Sequence, residues 1–230
     1  MIEPLSDAKI VESWTKNVDP WTQAVRGDQI ESRSLVTNKA IVDAVLSRAP
    51  RSVLDIGCGE GWLVRALEAH GIRAIGVDAV SALVEQARRA GGVASEFRVA
   101  SYEEIAAGAL RVSVDLAVAN FSLIGKESVE DLLAAGQRLL TTNGSLVIQT
   151  LHPLTIGAES GRPYVDGWRS GSWAGFGDAF TDPAPWYFRT LGSWIRLLIE
   201  SGWRLADVRE PVHPVSGQAV SVIFIAEAAG

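Results

Sequence analysis

The sequence contains almost no cysteine, since Cys58 is the only one among 230 residues. A single cysteine cannot form an intramolecular disulfide, which excludes a secreted domain held together by disulfides. Histidine is nearly as scarce, and His70, His152 and His213 are scattered along the chain. Their spacing matches no metal-ligand motif, so we expect no metal site.

The chain also lacks an excess of basic residues and any long apolar run. There are 21 Lys and Arg against 27 Asp and Glu, a net charge of −6, which argues against a nucleic-acid partner. The apolar runs are strand-sized, well short of the roughly 20 residues of a membrane helix. The first residues, MIEPLSDAKI, do not resemble a signal peptide. We therefore expect one cytoplasmic domain, residues 1–230, with neither a membrane nor a nucleic-acid partner.

From Ser52 onward, apolar strand-like segments alternate with segments of helical spacing. The five strand-like segments are SVLDIG, RAIGVD, SEFRVA, VDLAVAN and GSLVIQTL. This alternation is typical of βαβ units and predicts an α/β fold with a doubly wound, mostly parallel sheet. After a helix-like stretch at 191–201, the segments WRLADVRE and AVSVIFIAEA are predicted to form a closing antiparallel pair.

Two regions lie outside this alternation. Residues 1–48 are predicted to form an N-terminal helical cap, with helices at 5–16 and 28–48 and a turn-like link, NVDPWTQAVRG, between them. Residues 152–190 form an irregular insertion that holds eight aromatic residues, nearly half of the chain's total. Long loops of this kind are usually binding loops, and aromatic residues argue against disorder. The insertion is predicted either to form part of a substrate pocket or to make a small core of its own.

Three glycines, Gly57, Gly59 and Gly61, follow the first strand at alternate positions. Ligands of doubly wound sheets bind at the carboxyl ends of the strands, where this loop lies. The spacing differs from both the G-x-G-x-x-G dinucleotide fingerprint and the phosphate-binding P-loop. Asp55 would repel an anion here, whereas Asp78, at the end of the second strand, could accept hydrogen bonds from ribose hydroxyls. The pattern favours a nucleoside that carries a cationic or zwitterionic group, although a tight turn that binds nothing stays open.

The segments VLDIGCGEG, GVD, FRVASYEEI, DLAVANFSL and LLTTNGSLVI resemble the successive motifs of class I S-adenosylmethionine-dependent methyltransferases. The resemblance covers roughly residues 50–150. It implies a Rossmann-like, seven-stranded sheet in the order 3-2-1-4-5-7-6 with the last strand antiparallel. It also implies methyl transfer from S-adenosylmethionine, with S-adenosylhomocysteine as the product.

Carried over position by position, the resemblance implies contacts of three kinds with the cofactor. The first glycines and their neighbours would line the methionine moiety, the end of the second strand would hold the nucleoside, and the end of the fourth strand would lie beside the reacting methyl. The implied residues are Asp55, Gly57, Cys58, Gly59, Gly61, Trp62, Asp78, Ala79, Ser101, Tyr102, Asn120 and Phe121.

Several of these positions have other interpretations. Asp78 could be a turn acid, Tyr102 could be ordinary packing, and Cys58 fits a small lining residue better than a nucleophile. Arg33 could lie on a solvated helix face, or it could fold over the cofactor and pair with its carboxylate. Trp14 and Trp21 lie outside the segments that carry the resemblance. They could line the same cover or anchor the N-terminal helices.

We expect the methyl acceptor to be a small, apolar or aromatic molecule. ANFSL lacks the Asn/Asp-Pro-Pro-aromatic signature of enzymes that methylate amino groups of nucleic acids. His152 could be a general base for a hydroxyl acceptor or make only a backbone contact. The predicted substrate pocket comprises Tyr164, Trp168, Trp173, Trp186 and Tyr187. The alternatives are an inactive protein that binds the cofactor or a nucleoside and, from another enzyme class, a nicotinamide-dependent oxidoreductase.

Overall fold

The computed structural model describes residues 3–92, 95–159, 161–173 and 176–228. Its centre is a seven-stranded sheet in the order β3-β2-β1-β4-β5-β9-β8. The strands are β1 (Ser52–Ile56), β2 (Arg73–Asp78), β3 (Glu96–Val99), β4 (Val114–Asn120), β5 (Leu140–Leu151), β8 (Trp203–Arg209) and β9 (Ser221–Ala228). A separate hairpin pairs β6 (Gly167–Arg169) with β7 (Trp186–Phe188).

The sheet has the predicted order and directions. Strand β1 pairs in parallel with β2 and β4, and β4 pairs in parallel with β5. Strand β9 is antiparallel to both β5 and β8. The predicted sixth and seventh strands are thus β8 and β9, because the small hairpin comes before them. The carboxyl ends of β1, β2, β4 and β5 consequently meet at one edge of the sheet.

Helices cover both faces of this sheet. They are α1 (Asp7–Lys16), α2 (Val18–Arg26), α3 (Asn38–Leu46), α4 (Trp62–Ala69), α5 (Ser81–Ala90), α6 (Tyr102–Ala106), α7 (Glu127–Ala135), α8 (Pro153–Glu159) and α9 (Leu191–Glu200). In β1, Leu54 and Ile56 pack into one core cluster and Val53 into the other. Both faces are buried, which explains why the parallel strands read as continuous apolar runs.

The N-terminal region corrects two details of the prediction. The predicted turn-like link is mostly helix α2, because Pro20 lies in its first turn, where a missing N–H breaks no helical hydrogen bond. The predicted helix at 28–48 is interrupted, since a π-helical turn, Arg33–Thr37, precedes α3. Such π-helical turns are frequent at functional sites.

The insertion contains more regular structure than its sequence indicated, namely α8 and the hairpin of β6 and β7. No helix in the described parts of the chain is long and apolar enough to cross a membrane.

Candidate functional site

The glycine loop between β1 and α4 is fixed by backbone hydrogen bonds. The N–H groups of Gly57 and Cys58 both donate to the carbonyl of Val77, at 2.8 and 2.9 Å. Gly57 has φ +74°, and a Cβ there would lie 2.3 Å from the Cβ of Ser122. A Cβ on Gly61 (φ +84°) would lie 2.8 Å from the ring of Phe97. Glycine is therefore required at both positions, by backbone conformation and by close packing.

Asp78 anchors this loop. Its Oδ2 accepts the N–H of Gly59 at 2.9 Å, and its Oδ1 accepts the N–H of Val80 at 2.8 Å. Burial raises the pKa of the carboxyl, while these two backbone hydrogen bonds oppose the rise. Each carboxylate oxygen can accept a second hydrogen bond. Asp78 thus combines the predicted turn role with free capacity for a ligand's hydroxyl groups, and Ala79 lies half-buried beside it.

Asp55 is the second carboxylate at this edge, and its residue is only 2% exposed. Burial, with a contribution from Asp78, raises the pKa of Asp55 to about 8, and Arg33 opposes the rise. No hydrogen bond to its carboxyl group is found among the described residues. A buried carboxyl group without such a partner is a candidate for binding a cationic ligand group.

We expect the stability of the ligand-free protein to fall as pH rises from 5 to 9. The pKa of Asp55 is about 8 in the folded state, above the ordinary 3.8. Stability from this proton is therefore complete below about pH 4 and is lost as pH rises through 8. Between pH 5 and 8 this loss is about 4 kcal/mol, so the Tm should fall by roughly 10 °C. In Asp55→Asn the fall in Tm should be smaller, and the part that remains is due to Asp78. If a thermal-shift series showed the same dependence of Tm on pH in this variant as in the wild type, the assignment to Asp55 would be contradicted.

Arg33 belongs to the π-helical turn and is not on a solvated helix face, because its residue is only 9% exposed. Its guanidinium lies 5.0 Å from the ring centroid of Trp62 and 5.5 Å from that of Trp21. Nε donates to Asn38 at 3.3 Å, while Nη2 is buried without a hydrogen-bond partner. Burial lowers the pKa of Arg33 to about 10, so it stays positively charged at neutral pH. A buried cationic donor without a partner suits an anionic ligand group.

Glu60, inside the glycine loop, is a functional candidate that sequence reasoning missed. The residue is 1% exposed. Its carboxylate accepts Nη2 of Arg65 at 2.7 and 2.8 Å and Nε of Arg26 at 2.7 Å. Because Arg26 belongs to α2, this buried ion pair ties the N-terminal helices to the loop. An acidic residue between two glycines was the only sequence signal, and it does not identify its partners.

Three further residues predicted to contact the cofactor are Cys58, Ser101 and Tyr102. Burial raises the pKa of the Cys58 thiol well above its ordinary value, so Cys58 is no thiolate nucleophile at neutral pH. The Ser101 hydroxyl caps α6, accepting the N–H of Glu104. The Tyr102 hydroxyl donates to the carbonyl of Ser122 at 3.0 Å. The adenine contacts of Ser101 and Tyr102 stay predictions.

The end of β4 lies against the glycine loop. Ser122 donates its hydroxyl to the carbonyl of Ile56 at 2.6 Å. Phe121 has a left-handed conformation (φ +54°) that turns the chain after the strand. The Asn120 side chain accepts Nε2 of the buried Gln149 at 2.7 Å. The structure thus brings Asn120 and Phe121 to the same edge as Asp55 and the glycines.

In the structure, the five aromatic residues predicted to line one pocket lie in different places. Trp186 and Tyr187 line a cavity of about 60 Å³ that begins at Phe121. Its wall comprises Phe121, Leu123, Ile124, Thr150, Leu151, Pro153, Ile156, Trp186, Tyr187, Phe188, Arg189 and Trp194. Trp168 packs on Tyr187 and Tyr164 packs on Phe188, but neither is among the residues that line the cavity.

Trp173 lies elsewhere, in an aromatic cover that joins the insertion to the N-terminal helices. Its ring contacts that of Trp14 at a centroid distance of 4.8 Å, and Trp14 contacts Trp21 at 4.9 Å. Phe176 and Phe180 complete the cover. Nε1 of Trp21 is 3.4 Å from the position of a Cβ on Gly59, so the cover lies over the glycine loop. The insertion therefore packs on the N-terminal helices, and its role in a substrate pocket stays a prediction.

Polar contacts at residues 181–182 also hold the insertion against the N-terminal helices. Asn17 and Thr181 exchange two hydrogen bonds, at 2.7 and 2.9 Å. Asp182 pairs with Lys9 at 2.7 Å and also with Lys16. Because α1 and α2 are consecutive, these contacts and the Glu60 ion pair connect the insertion to the glycine loop through one helical segment.

His152 follows β5 directly and is 3% exposed. Its Nε2 lies 2.7 Å from Oε1 of Glu210, while Nδ1 is buried without a hydrogen-bond partner. His152 is not among the residues that line the cavity, although its neighbours Leu151 and Pro153 are. Its role as a base stays a prediction.

Comparisons with known proteins match this chain to methyltransferases. A family model described as a methyltransferase domain matches residues 53–144. The malonyl-[acyl-carrier protein] O-methyltransferase of Legionella pneumophila is 30% identical over 113 residues, which are 48% of this chain and 40% of that protein. The chain thus aligns with less than half the length of this relative.

Two solved structures extend the similarity beyond the matched domain. An S-adenosylmethionine-dependent methyltransferase from Mesorhizobium loti is 22% identical with a TM-score of 0.60, covering 80% of this chain and 96% of that one. The plantazolicin methyltransferase BamL, in complex with a triazolic desmethylPZN analog and SAH, is 14% identical with a TM-score of 0.68, covering 97% and 96%. At these identities the likeness shows a common fold.

Proposed function

We propose, from the premise that this chain is a class I S-adenosylmethionine-dependent methyltransferase, that it methylates a small molecule held in the cavity beside Phe121. The observation that carries this proposal is the position of that cavity. The cavity opens at Phe121, directly after β4. The residue that follows Phe121, Ser122, contacts the start of the glycine loop. An acceptor there would lie close to a cofactor bound along Gly57 and Gly59.

The residues at the edge of the sheet fit the cofactor. S-adenosylmethionine supplies a methyl group that its sulfonium has already activated. Asp55, buried without a described hydrogen bond and with a pKa of about 8, would lose its proton on pairing with the ammonium of the methionine moiety. The unpartnered Nη2 of Arg33 suits the carboxylate of that moiety. The remaining acceptor capacity of Asp78 suits the two ribose hydroxyls.

The chain's own contribution to the reaction is alignment and exclusion of water. The glycine loop holds one reactant against bare backbone, and the aromatic wall holds the other. The cover of Trp14, Trp21 and Trp173 keeps water out of the site. The cavity volume of about 60 Å³ is far below the roughly 300–1,000 Å³ of typical ligand pockets. We therefore expect the wall to open when an acceptor enters.

One of the compared proteins supports a small-molecule acceptor by its name, and another supports a small acyl group carried on a protein. One is named for plantazolicin, and the other for a malonyl group on an acyl-carrier protein. Calorimetry tests the proposal by titrating S-adenosylhomocysteine and, separately, NADH. We expect the first to bind in the micromolar range and the second not to bind. Binding of NADH alone would favour the oxidoreductase alternative. Cofactor binding without methyl transfer to any of a broad acceptor panel would favour an inactive binding protein.

Replacing Arg33 with glutamine should weaken S-adenosylhomocysteine by about 10- to 30-fold, the scale of a lost charge-assisted hydrogen bond. Binding of 5′-methylthioadenosine, which has the nucleoside but no carboxylate, should change less than threefold. Calorimetry with both ligands measures the difference.

The matched control is Arg48→Gln, since Arg48 pairs with Glu227 away from this edge of the sheet. Neither ligand should distinguish this variant from the wild type. An equal loss of both ligands in Arg33→Gln would assign Arg33 to packing on Trp21 and Trp62 instead of carboxylate binding.

A further inference from the structure

Among the described residues that line the cavity beside Phe121, Arg189 is the permanently charged one. The residue is 4% exposed, and its guanidinium lies 4.8 Å from the ring centroid of Tyr187 and 5.2 Å from that of Trp194. An arginine stacked between two aromatic rings is fixed in position before any ligand arrives.

The hydrogen bonds of Arg189 leave part of its guanidinium unused. Nη1 donates to the carbonyl of Gly125 at 2.8 Å, and Nη2 donates to the carbonyl of Lys126 and to Glu130 at 3.0 and 3.2 Å. A guanidinium carries five N–H donors. The Nε–H and one N–H of Nη1 therefore have no partner among the described residues. Because Nε–H lies on the side of Nη2 whereas Nη1 lies on the side of Cδ, these are two separate donors, and each can make one hydrogen bond to a ligand.

Along its described part, the same wall contains no carboxylate, imidazole or lysine that could remove a proton from an acceptor. Of the described residues that line it, none is Asp, Glu, His or Lys. A hydroxyl acceptor with a high pKa must lose its proton during methyl transfer, which normally requires such a base. A carboxylic acid has already lost its proton at neutral pH. Its negative charge would share the positive charge of Arg189 with Glu130, whose side chain is 42% exposed.

We propose that the methyl acceptor presents a carboxylate to Arg189 and that the product is a methyl ester. This inference rests on the proposed function of the same site. One carboxylate oxygen forms a bond to the methyl carbon while the carbon–sulfur bond breaks, and the sulfur keeps the electron pair. The negative charge of the acceptor and the positive charge of the sulfonium cancel. No proton moves, and Arg189 acts by holding the acceptor.

The test is calorimetry on the full chain loaded with S-adenosylhomocysteine. The probes are carboxylates from butyrate to 3-phenylpropionate and 2-naphthoate, each paired with its neutral primary amide. We expect at least one acid to bind tenfold or more tightly than its amide. Arg189→Gln should abolish that preference, and Arg189→Lys should retain part of it. Arg111→Gln, an exposed arginine before β4, should leave the preference unchanged.

A second readout identifies the product. Methyl-labelled S-adenosylmethionine is incubated with the preferred acid, and label that base releases as methanol reports an ester. If S-adenosylhomocysteine binds but no acid is preferred over its amide, the carboxylate inference is overturned while the proposed function stands. If S-adenosylhomocysteine does not bind, the proposed function itself fails. Should Arg189→Gln not fold, a preference in Arg189→Lys as strong as in the wild type would overturn the assignment of acceptor binding to the guanidinium.

Discussion

Asp78→Asn should weaken S-adenosylhomocysteine by roughly 30- to 100-fold, about 2–3 kcal/mol. The carboxylate accepts the N–H groups of Gly59 and Val80 with different oxygens. An asparagine has only one acceptor oxygen, so its NH₂ group would face one of these N–H donors. The substitution therefore loosens the glycine loop and removes a charged acceptor for the ribose. Calorimetry should show the same loss for 5′-methylthioadenosine, in contrast to Arg33→Gln.

The control for Asp78→Asn lies at the opposite edge of the sheet. Asp115 also accepts two backbone N–H groups, those of Arg51 and Ser52, at 2.9 and 3.1 Å. Both N–H groups bind Oδ2, so an asparagine can keep its oxygen facing them. Asp115→Asn should therefore remove the charge at little cost in stability, and it should leave S-adenosylhomocysteine binding unchanged. Equal ligand losses in both variants would reduce the effect at Asp78 to a general effect of removing a carboxylate charge. Wild-type affinity in Asp78→Asn would remove the ribose assignment.

The features that the sequence predicted well are those encoded by short, local patterns. Alternating apolar runs predicted a doubly wound, mostly parallel sheet, and the resemblance to methyltransferase motifs implied the order of its strands. The glycine loop follows from a few residues between β1 and α4. At Gly57 and Gly61, the left-handed backbone and the absence of space for a Cβ leave little choice of residue. The end of β2 is equally local, because Asp78 bonds to residues of its own turn and of the adjacent loop.

The features that the sequence did not predict depend on contacts between segments that are distant along the chain. The aromatic residues of the insertion have similar composition throughout, yet Trp186 faces the cavity whereas Trp173 packs on Trp14. No spacing rule distinguishes them, because their partners come from different parts of the chain. The burial of Arg33 has a similar cause, since a π-helical turn changes which side chains a helix presents to the core.

Glu60 is the sharpest example of such a missed contact, and Glu60→Gln should lower stability by about 3 kcal/mol. Loss of one partner of a buried ion pair costs roughly 3–5 kcal/mol, and the lower value applies because Arg26 and Arg65 retain side-chain exposures of 37% and 27%. The Tm should fall by about 10 °C. Binding of S-adenosylhomocysteine should weaken as well, because the ion pair joins α2 to the glycine loop. A thermal-shift series with and without the ligand measures both effects.

The matched control is Glu85→Gln. Glu85 also pairs with an arginine, Arg88 at 2.6 Å, but its side chain is 52% exposed. Exposed pairs of this kind contribute about 0–1 kcal/mol, so the Tm should change by less than roughly 3 °C. If Glu60→Gln lost stability but kept full ligand affinity, the ion pair would stabilise the fold without connecting the cover to the site. If both variants behaved alike, the burial of Glu60 would have no energetic consequence, and the link between α2 and the glycine loop would have to rest on Trp21.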